Sequence, residues 1–135
     1  MTSFHWPIRV YYEDTDSGGM VYHANYLRFM ERARTEWLRS LGFEQDALRR
    51  EPGVLFVVHS MDIRFRRPAR FNACLNVVSS LLKRRRASLT FDQRIHDEND
   101  QAICEATVTV ACIDANTELP TALPDALIAE FSHAR

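Results

Sequence analysis

The segment from Tyr12 to Tyr26 holds the densest group of chemically reactive side chains in this 135-residue sequence. Two carboxylates, Asp14 and Asp16, stand just before a pair of glycines, and a helical pattern begins at about His23. The first N–H groups of a helix have no partner within the helix and carry partial positive charge, so they can polarise a carbonyl oxygen. A carboxylate held beside them could attack that carbonyl or activate water against it. Asp16 is the stronger candidate, because it lies deeper in the glycine-flanked turn.

The same Asp-Thr-Asp-Ser-Gly-Gly run has two non-catalytic interpretations. It is typical of an Asx turn that leads into a helix. An EF-hand calcium loop would also place acidic residues at Asp14 and Asp16 and a glycine at Gly19. Its twelfth position is Asn25 rather than glutamate, however, and no helical pattern precedes the loop. The calcium hypothesis fails, whereas the Asx-turn interpretation stays open on the pattern alone.

Other common reaction motifs are absent from the sequence. It contains no Gly-x-Ser-x-Gly elbow, no His-Glu-x-x-His or paired-cysteine zinc spacing, and no Walker or Gly-x-Gly-x-x-Gly motif. We therefore expect neither a metal nor a resident cofactor.

A second candidate site is the basic run Lys83-Arg84-Arg85-Arg86 between two predicted strands. A solvated hairpin tip and a clamp for the phosphates of a nucleotide-like group both fit it. The arginines around Pro68 (Arg64, Arg66, Arg67 and Arg70) add basic character in its expected neighbourhood. Nucleic-acid binding is disfavoured, because the formal net charge is −1 and no aromatic residues interleave the run.

The hydrophobic periodicity predicts an α+β fold that positions these residues. A helical stripe runs from about His23 to Leu41, with Leu27 and Leu38 widening it, and Gly42 ends it. Period-two patterns predict five strands, near Ile8–Tyr12, Val57–Phe65, Leu75–Leu81, Leu89–Ile95 and Ala106–Cys112. Shorter helices are expected at Gln45–Arg50 and Asp125–Phe131, and a hairpin turn at Asp97–Asp100.

The order of these elements favours a largely antiparallel sheet, because one long helix precedes four strands that no further helix separates. One helix covers one face of the sheet, so oligomerisation is expected. His59 falls on the apolar face of the second strand and is interpreted as a core histidine.

Length and composition indicate one domain spanning residues 1–135 in the cytoplasm. The odd set of Cys74, Cys104 and Cys112 in apolar surroundings predicts buried free thiols in a reducing compartment. The N-terminus lacks a basic and an apolar region of the signal-peptide kind, and no apolar run is long enough to span a membrane.

The motif from Tyr12 to Asp16, continued by Val-Tyr-His-Ala-Asn-Tyr up to Tyr26, resembles the signature of hotdog-fold thioesterases related to 4-hydroxybenzoyl-CoA thioesterase. The likeness extends almost from end to end and is strongest to the acyl-CoA thioesterases associated with the Tol-Pal system. It implies a long central helix wrapped by a curved antiparallel sheet. It also implies a homodimer with active sites at the interface, often paired into a homotetramer. Met20 departs from the usual Val or Ile, which should affect the packing of the pocket.

The resemblance also implies roles for individual residues. The catalytic carboxylate maps onto Asp16 and the N–H that polarises the thioester carbonyl onto His23, with Tyr12 lining the same site. Substrate contacts are implied for the remaining matched positions, namely Gly19, Tyr22, Asn25, Lys83, Arg84, Arg85 and Arg86. Coenzyme A would then be part of the substrate, and the basic run would contact its phosphates.

These roles predict hydrolysis of short- to medium-chain acyl-CoA thioesters, with Asp16 acting either as nucleophile or as general base. Acyl-carrier-protein thioesters stay open as substrates, and the surface of the inner membrane stays open as a location within the cytoplasm. The alternative is a non-catalytic module that binds acyl-CoA or acyl carrier protein in envelope or phospholipid assembly.

Overall fold

The computed structural model describes the backbone of residues 2–134 and the side chains of residues 2–131. Its strands are β1 (Ser3–Arg9), β2 (Val54–Phe65), β3 (Cys74–Arg84), β4 (Ser88–His96) and β5 (Ala102–Asp114). Its helices are α1 (His23–Ser40), α2 (Gln45–Arg50) and α3 (Asp125–Ala134), and a 3-10 turn covers Tyr12–Asp14. The five strands form one sheet in the order β1-β3-β4-β5-β2, and every neighbouring pair is antiparallel. The predicted α+β architecture is confirmed.

The central helix α1 packs one face against the sheet, as its periodicity predicts. Phe29, Met30 and Ala33 are fully buried, and Trp37 contacts both Phe91 of β4 and Phe131 of α3 through ring edges. The helix ends where Leu41 and Gly42 close its last turn, and Gly42 takes a left-handed φ of 94°. One residue of the predicted stripe behaves differently. Leu27 is exposed rather than buried.

The first strand differs from the prediction in its position. β1 runs from Ser3 to Arg9, so Pro7 lies inside the strand instead of opening it, and Tyr12 lies beyond its end. A proline is tolerated there because β1 is an edge strand whose outer side needs no ladder hydrogen bond.

A β-bulge at His59 overturns part of the predicted pattern of β2. The register with β5 shifts between Val58 and Ser60, so the strand changes face at that point. Met61 and Ile63 are half-buried, whereas Val57 and Val58 are both exposed, and Val58 rather than Val57 lines the groove beside α1. His59 is exposed, so its interpretation as a core histidine is wrong.

The cysteines are free thiols, but only two of the three are buried. Cys104 and Cys112 lie in the core and Cys74 is half-buried. Burial raises the pKa of the Cys104 thiol to about 12, which suppresses its thiolate form.

We therefore expect a thiol-reactive disulfide reagent to modify the native protein first at Cys74. Titration of native and urea-unfolded protein, followed by peptide mapping, measures this order. Labelling of Cys104 as fast as Cys74 in the native protein would contradict it.

Candidate active site

The loop between the 3-10 turn and α1 is folded tightly enough to fix Asp16. Thr15 and Val21 form an isolated bridge, and the Asp16 N–H donates to the Met20 carbonyl over 2.8 Å. Gly19 adopts a φ of 79°, which L-residues with side chains rarely adopt. A Cβ at Gly18 would lie 3.2 Å from the Asp16 Oδ1 atom. The two glycines thus allow the backbone to wrap around the Asp16 carboxylate.

The structure separates the two candidate carboxylates by environment. Asp14 is buried, and its oxygens accept hydrogen bonds from the Tyr11 N–H and the Asn25 side-chain amide, each over 2.9 Å. Its own carbonyl accepts the Tyr22 N–H over 2.9 Å. Asp14 therefore ties the loop to the start of α1 and has no oxygen left for a substrate.

Asp16 is exposed and keeps one carboxylate oxygen available. Its Oδ1 atom accepts the Gly18 N–H over 2.8 Å and the Met20 N–H over 3.4 Å. Within the described part of the chain, Oδ2 has no hydrogen-bond donor. The Asx-turn interpretation is thus correct for the local geometry, and it still leaves a carboxylate oxygen for chemistry.

The start of α1 supplies donors on the other side of the site. Tyr22 is the N-cap residue and makes no capping hydrogen bond through its side chain, and the first turn contains no acidic residue. The N–H groups of His23 and Ala24 have no acceptor one turn earlier in the helix. Their partial positive charge is available to an incoming carbonyl oxygen or anion.

Asp16 and His23 line the same open cleft of about 360 Å³. Its apolar wall includes Met20, Tyr26 and Phe65, and the Phe65 ring stands edge-on to the His23 ring at 6.2 Å. The buried Tyr26 hydroxyl accepts the Ala69 N–H over 3.0 Å, and burial raises the pKa of this phenol. The cleft can therefore hold a carbonyl group between a carboxylate and a helix start.

Four other predicted site residues lie outside this cleft in the protomer. The Tyr12 side chain is 82% exposed and contacts Phe71, while Tyr22 packs its ring on the His23 ring at 4.6 Å. Gly19 shapes the loop, and Asn25 is buried with its amide donated to Asp14.

The predicted basic run is divided between two faces of the sheet. Lys83 and Arg85 line a polar groove of about 490 Å³ with His59 on the face away from α1. Arg84 points the other way and donates to the Ile128 carbonyl of α3 over 3.4 Å. Arg86 is exposed in the turn to β4. Successive side chains of a strand point to opposite faces of the sheet, which explains the division. The four basic side chains therefore do not lie together as a single clamp.

The arginines that line the Asp16 cleft are instead Arg66 and Arg67, just after β2. Arg66 pairs with Glu105 over 2.7 Å, whereas Arg67 is exposed and makes no ion pair within the described residues. Sequence reasoning had placed this group near Lys83–Arg86. Arg66 and Arg67 lie beside Asp16 because the turn after β2 brings Ala69 against Tyr26, a contact that only the structure shows.

Two further predicted absences concern metals and membranes. Among the residues with described side chains, no group of three His, Cys, Asp or Glu could hold a metal ion. None of the helices in the described chain is long and apolar enough to cross a bilayer.

Comparison with known proteins identifies the family of the chain. Residues 10–131 match the family described as the thioesterase-like superfamily. The chain is 48% identical over 130 residues to the acyl-CoA thioester hydrolase YbgC of Escherichia coli O6:H1, covering 96% of both chains. It is 43% identical over 132 residues to the acyl-CoA thioesterase YbgC of Haemophilus influenzae, covering 98% of this chain and 96% of the relative.

A solved structure extends the agreement to the fold. A probable thioesterase from Bartonella henselae superposes with a TM-score of 0.86 and 35% identity, covering 90% of this chain and 99% of the other. On sequence and fold together, this chain belongs to the thioesterase-like superfamily and has its hotdog fold.

Proposed function

We propose that this protein is an acyl-CoA thioester hydrolase in which Asp16 and the start of α1 perform the reaction. The proposal depends on the Oδ2 atom of Asp16, which accepts no hydrogen bond within the described residues. Asp16 lines the same cleft as His23, where α1 begins without a side-chain cap. Both relatives described above are named for this activity, which supports the same substrate class here.

The reaction needs one polarised carbonyl and one activated oxygen. The thioester oxygen accepts the His23 N–H, which stabilises the negative charge that develops there. In one route Asp16 Oδ2 attacks the carbonyl carbon, the C–S bond breaks, and the thiolate leaves a mixed anhydride that water hydrolyses. In the other route Asp16 takes a proton from water, and the resulting hydroxide attacks. Both routes give a carboxylic acid and free coenzyme A.

Thiol release from a panel of acyl-CoA chain lengths tests the activity directly. We expect turnover on short to medium chains, and we expect carrier-protein thioesters to react through the same cleft if their arm reaches Asp16. Release from none of the acyl-CoAs would favour the alternative function, a module that binds acyl-CoA or acyl carrier protein without hydrolysis.

A single turnover in heavy-oxygen water tests for the nucleophilic route. Solvent oxygen in the Asp16 carboxylate shows that an anhydride formed and was hydrolysed at the Asp16 carboxyl carbon, whereas label in the product acid alone is expected both of general-base catalysis and of an anhydride hydrolysed at the acyl carbon. Mass spectrometry of the peptide that carries Asp16 distinguishes these outcomes.

The nucleotide end of coenzyme A requires basic side chains near the cleft. Arg67 is the nearest unpaired cation that the described structure places there, and Lys83 with Arg85 form a second basic groove. The cleft and that groove share no lining residue in one protomer. For Lys83 and Arg85 to reach the phosphates, a second protomer must bring its groove to this cleft.

A homodimer built along β2 fits this requirement. β2 is an edge strand that exposes Val57, Val58 and Phe65, and unpaired edges with apolar side chains favour pairing with another chain. Pairing there would also cover the cleft, which opens beside Phe65. We expect the dimer to be the smallest active unit and a homotetramer to form by pairing of dimers.

Replacement of Val57 with lysine is expected to separate the dimer. Val57 is 41% exposed and lies outside the Asp16 cleft, so the charge would be buried only in the assembly. Light scattering after size exclusion should show a shift to monomer, with loss of most activity at the same concentration. Glu98→Lys, in the exposed turn between β4 and β5, is the control. A fully active Val57→Lys monomer would contradict the shared site.

A further inference from the structure

The Asp16 cleft and a groove between α1 and β2 follow one another along the same two elements, the cleft lined by His23 and Phe65 and the groove by Leu27 and Met61. On α1 its wall follows His23, Leu27, Glu31 and Arg34, whose spacings of three and four residues place them on one face of the helix. The exposed Leu27, which the periodicity predicts to be buried, belongs to this wall.

The opposite wall of the groove is β2, which runs antiparallel to α1 along it. Phe65 stands beside His23, Met61 lines the groove with Leu27, and Val58 lines it with Arg34. A middle section of about 570 Å³ is followed by an inner one of about 100 Å³, and both contain Arg34 and Val58. An acyl chain attached at the cleft would therefore run along this groove toward Arg34.

Arg34 is a buried cation that forms no ion pair within the described residues. It is 8% exposed, and its Nη1 atom donates to the Gln93 Oε1 atom over 2.8 Å. The Gln93 amide is held in turn by the Met30 carbonyl at 3.0 Å and the Ser79 hydroxyl at 2.9 Å. This network fixes the guanidinium, but within the described residues it supplies no negative charge.

The remaining guanidinium nitrogens of Arg34 have access to the groove. Every fully buried polar side-chain atom in the described part of the chain has a hydrogen-bond partner. Nε and Nη2 of Arg34 make no such bond, so they retain contact with the cavity space that Arg34 lines.

The electrostatics of the groove favour an anionic group at its inner end. Removing a cation from water without a counter-charge is costly. Burial lowers the pKa of Arg34, and the opposing effect of Glu31 is smaller. Within the described residues Glu31 forms no ion pair with Arg34, and its negative charge on the groove wall is outnumbered by the positive charges of Arg28, Arg32 and Arg34.

We propose that Arg34 is a specificity-determining residue that binds the distal end of the acyl group, and that the preferred substrates are acyl thioesters of roughly six to eight carbons that end in a carboxylate. This inference rests on the proposed function, because it uses the Asp16 cleft as the reaction site. His23 and Arg34 lie about 16 Å apart along the helix axis. An arginine side chain on a helix leans back toward the helix start, which shortens that gap to about 10 Å, and an extended chain of roughly six to eight carbons spans it. A planar guanidinium with free donors matches a carboxylate in geometry and charge.

The test compares chains of equal carbon number with and without the terminal carboxylate. We expect the wild-type protein to hydrolyse adipyl-CoA and suberyl-CoA with kcat/KM at least tenfold above hexanoyl-CoA and octanoyl-CoA. Arg34→Met should abolish this preference, because kcat/KM for the two dicarboxylic substrates falls to the level of the alkyl substrates of equal carbon number. Arg34→Lys, which keeps the charge, should retain part of the preference. Arg39→Met, an exposed arginine of α1 outside the groove, is the matched control.

Three results would overturn the proposal. They are equal or greater activity of the wild type on the alkyl chains, equal loss on all substrates in Arg34→Met, or dissociation of the dimer by that variant, which would assign Arg34 to a partner's carboxylate. If Arg34→Met does not fold, the substrate preferences of the wild type and of Arg34→Lys still test the proposal.

Failure of the proposed function gives a different result. Thiol release from no thioester at all would refute hydrolysis. Calorimetric binding of suberyl-CoA against octanoyl-CoA would then test Arg34 alone, with tighter binding of suberyl-CoA supporting its role and equal binding refuting it.

Discussion

Asp16→Asn is expected to lower kcat for thioester hydrolysis by about 10²- to 10⁴-fold, the range typical of a lost acid–base or nucleophilic group. The amide keeps the Oδ1 acceptor for the Gly18 and Met20 N–H groups, so the loop conformation should survive. What the substitution removes is the negative charge and the basicity of Oδ2. The reacting oxygen then neither attacks the thioester carbonyl nor accepts a proton from water.

The accompanying change in folding stability should be small. Asp16 is exposed, and its contribution near the start of α1 is of the order of a helix-dipole interaction, less than about 1 kcal/mol. Thiol release measures the activity, and urea unfolding of the same preparation measures the free energy of unfolding. Asp46→Asn, an exposed carboxylate in α2 remote from the motif, is the matched control and should leave both quantities unchanged. Hydrolysis at the wild-type rate in Asp16→Asn would refute the proposed role.

Asp14→Ala, unlike Asp16→Asn, is expected to lower folding stability, by about 3 kcal/mol. The substitution removes two hydrogen bonds to a charged acceptor and leaves the buried Asn25 amide without its partner. The Tyr11 N–H also loses its acceptor, so the 3-10 turn and the helix start would separate. Activity should fall as well, because the loop that carries Asp16 is no longer held against α1.

A double-mutant cycle isolates the contribution of the Asp14–Asn25 contact. The free energies of unfolding of Asp14→Ala, Asn25→Ala and the double variant should show a coupling energy of about 1–3 kcal/mol, since the two side chains touch at 2.9 Å. Additive effects, or an Asp14→Ala variant as stable as the wild type, would show that the buried contact does not hold the loop. If both predictions hold, Asp16 performs the chemistry and Asp14, two residues earlier, positions the loop.

The sequence predicts most of the fold because its elements obey local rules. α1 begins at His23 and α2 covers Gln45–Arg50 as the periodicity and the glycines indicate, and the polar turn at Asp97–Asp100 joins β4 to β5. The choice of Asp16 as the available carboxylate also follows from local chemistry, because a short Asx turn folds around its own side chain. In the structure, Oδ2 of Asp16 has no hydrogen-bond donor within the described residues, and the catalytic role of this oxygen stays a prediction.

The errors arise where pairing between distant segments decides the outcome. The bulge at His59 depends on how β2 aligns with β5, and the sequence of β2 contains no pattern that predicts it. Lys83 and Arg85 lie on one face of the sheet and Arg84 on the other, because side chains alternate at the end of β3. The prediction of a single clamp did not take this alternation into account.

The sequence by itself predicted the turn around Asp16, the helix that begins at His23 and the antiparallel strands. It did so because caps, turns and hydrophobic periods act over a few residues. The tertiary structure alone decided that Arg67 lies in the Asp16 cleft and that Arg34 is buried at the inner end of the groove between α1 and β2. Both placements depend on β2, which folds back along α1 from a distant part of the chain. Burial and the loss of water around a charge are properties of that packing, and only contacts between segments far apart in sequence create them.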